Sequence, residues 1–216
     1  MLLMAAGLGG ILMWGVGFAE EFTIDRFGVP KHEALLAAVA AVYEELARFF
    51  LVLFLAVGIR RHFNDPMDGI IYGSIAGLGM AVCESIDYLR WSGAAPVYLP
   101  ASEIVRLSGH LILGGITGFP CGMIRMRMPR WPVVLAACLF SSMAIHFLWD
   151  LLALLSAARS EYQWFFMTAA ALLMLSGMAV YGALVLLGAG WSRQEFQPHS
   201  LKTLLSWPFT LLRPKR

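Results

Sequence analysis

The chain has 216 residues, of which 59% are hydrophobic and only 14% charged, with a formal net charge of +2 and a mean hydropathy of +0.71. A soluble domain is about half apolar and about a quarter charged, so an ordinary water-soluble enzyme is excluded. What remains is an all-α integral membrane protein, a bundle of about six transmembrane helices, and the small net charge leaves no basis for nucleic acid as a partner.

A span takes about 20 mostly apolar residues, and six stretches qualify in chain order. Met1–Ala19 lacks a basic start and an A-x-A cleavage site, so it reads as a retained span and not as a leader. Ala34–Ile59, Gly69–Leu89, Glu103–Ile124, Pro132–Leu155 and Trp164–Leu187 follow, joined by short connections rich in Gly, Pro, Asn, Asp and Ser. Residues 1–190 are expected to form one transmembrane helical domain. Residues 191–216 mix Leu, Trp and Phe with basic residues, as in an amphipathic tail lying on the cytoplasmic leaflet.

Lys and Arg set the orientation. Arg60, Arg61, Arg125, Arg127, Arg130 and the tail's Arg193, Lys202, Arg213, Lys215 and Arg216 fall on one side, against Arg26, Lys31, Arg90 and Arg159 on the other. Both termini are therefore expected in the cytoplasm, with the chain multi-pass in a cytoplasmic membrane. Cys83, Cys121 and Cys138 are odd in number, lie in apolar runs and show no C-x-x-C spacing, which reads as small core residues. Trp91, Tyr98, Phe22 and Phe27 flank the outer connections, as interface anchors or a substrate lid.

The second span carries Glu44, Glu45 and Arg48 near its middle, and Glu84, His110, His146 and Asp150 lie within later spans. A charge at mid-bilayer costs roughly 2.5–3.5 kcal/mol on insertion scales, so this set needs a reason. At about 1.5 Å per residue, Glu44 lies about 15 Å from the outer end of its span, Glu84 about 8, His110 about 10, His146 about 14 and Asp150 about 8. Four helices thus bring acids and imidazoles into one outer layer. Glu44 and Arg48 share a helix face, as do His146 and Asp150, while Glu45 is turned about 100° away. Gly69, Gly73, Gly77 and Ala81 recur every four residues, as do His110, Gly114 and Gly118, the small-xxx-small pattern of backbones that touch in lipid.

Paired carboxylates beside two histidines suit hydrolysis of a carbonyl compound. Burial and a neighbouring guanidinium act in opposite senses on a carboxyl group, so the acids can take different roles. One scheme has a glutamate accepting a proton from water while a histidine binds the oxyanion, with no cofactor. The other has one zinc ion held by His110, His146 and a carboxylate such as Glu84. The residues do not choose between them. H-E-x-x-H, rhomboid-type Gly-x-Ser-Gly and presenilin-type G-x-G-D signatures are absent, and Ser108 and Ser142 read as packing residues.

"EELAR" at Glu44–Arg48, "FNDPMDGIIYGSIAGLGMAVCES" at Phe63–Ser85, "GHLILGGITG" at Gly109–Gly118 and "HFLWD" at His146–Asp150 together resemble the four motifs of PrsW-type intramembrane proteases, within the CAAX protease and bacteriocin-processing superfamily. The resemblance spans the second to fifth helices. It implies a multi-helix endopeptidase cutting a membrane-anchored or peptide substrate, anti-sigma-factor-like, near the extracytoplasmic face. It implies Glu44, Glu45, Glu84, His110, His146 and Asp150 as catalytic, with Arg48 supporting, and its mechanism is glutamate- or metal-based. Arg48, Met80 and Ser85 depart from the usual Lys, Phe and Asn, which bears more on substrate preference than on catalysis. Two other readings compete: a non-catalytic scaffold resembling the scaffold subunit of gamma-secretase, and a haem protein with His110 and His146 as axial ligands or a proton-coupled carrier with the carboxylates as its relay.

Overall fold

The computed structural model describes residues 1–28, 32–91 and 101–196, and among these it contains six long helices and no strand. They are α1 (Leu2–Arg26), α2 (Glu33–Gly58), α3 (Pro66–Trp91), α4 (Ala101–Arg125), α5 (Trp131–Ala158) and α6 (Gln163–Phe196), with 3₁₀ turns at Arg60–His62 and Ser160–Tyr162. Each expected span corresponds to one helix. The largest differences are at α1, which runs on to Arg26, and α6, which runs on to Phe196. Charged residues end an apolar run but not a helix, so hydropathy understates both. The first residues expected in the tail are therefore helical, and residues 197–216 lie outside the described residues, as does Tyr98.

Five of the helices are long and apolar enough to cross a membrane. The sixth, α2, is as long but carries Glu44, Glu45 and Arg48 in its middle. Leu3, Trp14, Phe18, Phe54, Phe140 and Phe165 all stand exposed, the outward apolar surface a bilayer requires. Phe22 and Phe27 are exposed at the end of α1. All three cysteines are free thiols, with Cys121 and Cys138 buried.

Helix starts follow from local chemistry. The Asn-Asp-Pro-Met-Asp segment builds the start of α3: the Asp68 carboxylate accepts from the backbone N–H of Asn64 and Asp65 at 2.8 and 2.9 Å, and Asp65 accepts from Met67 N–H at 2.7 Å. These bonds satisfy donors that no helical carbonyl can reach. Pro66 loses nothing in the first turn. Arg127 and Arg130 adopt positive φ in the tight α4–α5 connection, where Arg130 caps α5 just ahead of Pro132.

The centre of the bundle is the α3–α4 pair. Gly69, Gly73 and Gly77 lie on the backbone of Gly118, Gly114 and His110 respectively, so the two helices run antiparallel with no side chain between them. A Cβ on Gly73 would come within 3.0 Å of the Gly114 carbonyl carbon and the Gly118 Cα. Both expected small-residue ridges thus meet each other. On the far side of α3, α1 crosses where Gly9 touches Ala76 and Gly79 touches Ala6. The remaining helices pack through side chains, as in the Phe119–Trp191 stack between α4 and α6, with centroids 5.6 Å apart.

Candidate active site

Glu44 is 4% exposed, and Glu45 and Arg48 are wholly buried. The two adjacent glutamates have opposite surroundings. Glu45 Oε1 pairs with Arg48 Nη1 and lies 2.9 Å from His146 Nδ1, while Oε2 accepts from Thr117 Oγ1 at 2.7 Å and Ser142 Oγ at 2.5 Å. A carboxylate offers about four acceptor positions, and all are taken. Glu44 Oε2 is buried with no hydrogen-bond partner. Three nitrogens surround it at 3.8 Å: Arg48 Nη2, His110 Nδ1 and His146 Nε2.

The imidazoles are held from behind. Arg48 Nη2 lies 3.0 Å from His110 Nδ1, and a guanidinium can only donate. His110 Nδ1 is therefore the acceptor, and the ring's proton sits on Nε2, 3.1 Å from Glu84 Oε2. His146 gives its Nδ1 side to Glu45. Its Nε2 faces Asp150 Oδ2 at 3.4 Å, one helical turn along α5. The two rings meet edge to face, with centroids 5.6 Å apart. The structure thus brings Glu44, Glu45, Arg48, Glu84, His110, His146 and Asp150 into one connected cluster.

Further residues join them that the sequence reading set aside or did not raise. Thr117 and Ser142 complete the cage around Glu45. Arg106 bridges Glu84 at 3.3 Å and the fully buried Glu103 at 3.7 Å, and lies over the Tyr88 ring at 4.9 Å. The signal was spacing: Glu103, Arg106, His110 and Thr117 follow one another at intervals of 3, 4 and 7, one stripe along α4. Ser142 is likewise one turn from His146. Glu20, on α1, brings a further carboxylate within electrostatic range of His146, Glu84 and Asp150, and its Oε1 is also buried without a partner. Nothing in its local sequence marks it.

Glu44, His110 and His146 each offer one donor atom, all within 4.8 Å of one another. The donor set fits a divalent cation: two imidazoles and a carboxylate are an ordinary catalytic zinc set, and Glu45 backs His146 in the way outer carboxylates orient ligating histidines. Glu84 lies at the other nitrogen of His110 and fills that backing position there. Arg48 fits least well, because it already donates to the His110 nitrogen that faces Glu44. Beside the cluster a cavity of about 90 Å³ opens between α4, α5 and α6, room for several waters. Glu84, His110, His146 and Asp150 border it.

A family profile described as PrsW family intramembrane metalloprotease matches residues 1–185. The chain is 30% identical over 140 residues to a protein named Protease PrsW from Geobacillus kaustophilus, covering 65% of this chain and 60% of that protein. It is 27% identical over 130 residues to Protease PrsW of Bacillus subtilis, covering 60% and 58%. With Protease PrsW of Halalkalibacterium halodurans the identity is 32% over 152 residues, covering 68% and 67%. The match thus spans about 60% of the length of the first two relatives. No solved structure matches the chain.

Proposed function

Because the chain belongs to the PrsW family of intramembrane proteases and is a multi-pass bacterial membrane protein, we propose that it is an endopeptidase. Its substrate is a membrane-anchored protein or peptide, cut near the extracytoplasmic face by water that Glu44 activates. The observation that carries this reading is the bare Oε2 of Glu44, buried among a guanidinium and two imidazoles, the imidazoles themselves bordering a cavity with room for water. Glu45 has no acceptor position left, so of the two adjacent acids only Glu44 can take a proton.

Each residue then has one task. Water that passes from the cavity between His110 and His146, which border it, gives its proton to Glu44 and attacks the carbonyl carbon. His146, as an imidazolium, donates from Nε2 to the oxygen that becomes an oxyanion, with Glu45 behind Nδ1 and Asp150 beside Nε2 holding the ring and balancing its charge. Glu44 passes its proton to the amide nitrogen as the C–N bond breaks. Arg48 and Glu84 fix His110 at the other side of the water position.

A second reading is favoured by the charge count. Among the described residues, Glu20, Glu44, Glu45, Glu84, Glu103 and Asp150 face only Arg48 and Arg106 as permanent cations, an excess of acid that a divalent ion would offset. Glu44, His110 and His146 would hold it. Such an ion supplies Lewis-acid polarisation and lowers the ionisation cost of water. Mass-spectrometric metal content of the purified protein, with cleavage of a co-expressed single-span reporter before and after chelation, separates the two. A Glu44→Gln protein that still cleaves removes the first reading, and a metal-free protein that cleaves at full rate removes the second. Loss of cleavage in neither Glu44→Gln nor His146→Ala would instead return the scaffold reading.

A further inference from the structure

The catalytic cluster meets open space, among the described residues, through the cavity between α4, α5 and α6. That cavity has two unlike walls. Glu84, Arg106, His110, His146 and Asp150 make one; Ile112, Leu113, Ile145, Trp149, Met174 and Gly177 are the main members of the other. A polypeptide whose scissile amide lies on the polar wall must lay the neighbouring side chain on the apolar one. We propose that this apolar wall is the specificity subsite, and that it takes a single unbranched or γ-branched apolar side chain, up to the size of leucine or methionine, next to the cut bond. This rests on the protease reading above.

Beside Trp149 of α5, two residues of α6 shape it. Gly177 is buried, and a Cβ built on it would lie 3.7 Å from Ile112 Cγ2 and 3.8 Å from Ile145 Cγ2, in ordinary contact. Its missing side chain is the space between those two isoleucines. Met174 lies one turn earlier on α6, its methyl 3.2 Å from where a Cβ of Gly109 would stand, so it closes the wall against the residue next to His110. Methionine is flexible and adapts to irregular gaps, whereas Ile112 and Leu113 are buried in the core. Charged side chains find no partner on this wall.

The test uses the full-length protein in detergent micelles and a proteome-derived peptide library, with new termini read by mass spectrometry. The wild type is expected to cut beside Ala, Leu or Met at one fixed position, and poorly beside the β-branched Val and Ile. Gly177→Ala keeps the fold and trims the largest of these. Gly177→Leu fills the wall and lowers cutting beside Leu and Met at least tenfold relative to Ala. Met174→Ala opens it and admits Phe. If Gly177→Leu fails to fold, Met174→Ala carries the test, since it only shortens a flexible side chain. Cleavage without an apolar preference, or profiles left unchanged by folded Gly177→Leu and by Met174→Ala, overturn the subsite while leaving the protease intact. A wild type that cuts nothing in the library overturns the protease reading and the subsite with it.

Discussion

Replacing Glu44 and Glu45 in turn by Gln separates chemistry from architecture at adjacent positions. Glu45→Gln removes the charge that Arg48 pairs with, and Arg48 has no exposed surface. Breaking a buried ion pair from one side costs about 3–5 kcal/mol, because the remaining charge stays uncompensated. The amide also sets a donor where Arg48, His146, Thr117 and Ser142 all offer donors. Glu44→Gln loses no hydrogen bond at Oε2, whose nearest nitrogens stand at 3.8 Å. Its stability should stay within about 1 kcal/mol of wild type, while loss of a general base lowers the rate about 10²–10⁴-fold. Thermal unfolding in detergent, followed by tryptophan fluorescence, reads the first quantity. Cleavage of a co-expressed single-span reporter reads the second. The double variant Glu45→Gln/Arg48→Gln should be more stable than the sum of the single changes by about 0.5–3 kcal/mol. Equal stability losses for Glu44→Gln and Glu45→Gln would refute the division of labour, as would a Glu45→Gln protein as stable as wild type.

Other changes have equally definite outcomes. Gly73→Val forces a side chain into the Gly114 and Gly118 backbone and should destabilise by at least about 1–3 kcal/mol, seen as a lower melting temperature or loss of monodisperse protein. Asp68→Ala removes the acceptor for Asn64 and Asp65 N–H and should cost about 1 kcal/mol with reporter cleavage per folded molecule unchanged. Arg106→Gln releases Glu84 and Glu103, and should lower kcat more than it raises KM, with Arg106→Lys recovering part of the rate. A KM effect alone would show that Arg106 meets substrate and does not merely position Glu84.

The helices and the outer layer of polar groups were legible because both are periodic properties of single segments. The spacing of Gly69, Gly73 and Gly77 and of His110, Gly114 and Gly118 identified two ridges, and the packing shows them pressed together. The unequal status of Glu44 and Glu45 was not legible. It depends on Thr117 and Ser142, far along the chain, which reach Glu45 and leave Glu44 bare. Glu20 was missed for a related reason: it follows an apolar run and looks like the end of a span, yet α1 continues as helix to Arg26 and carries it to the cluster. The Asn-Asp-Pro-Met-Asp segment was noticed as part of a motif, but its bonds are those of a helix start.

The contact of Gly77 with the carbonyl of His110 has a mechanical consequence. Where main chain rests on main chain, no rotamer change can absorb displacement, so the backbone that carries this imidazole is as immobile as the central helix pair itself. Under the protease reading, room for a polypeptide is made by elements held only through side chains. α6 fits that part, since its contacts with α4 and α5 run through side chains such as Met174, Ile112, Ile145 and the Phe119–Trp191 stack, and the α3–α4 pair is left as a fixed bed against which it breathes.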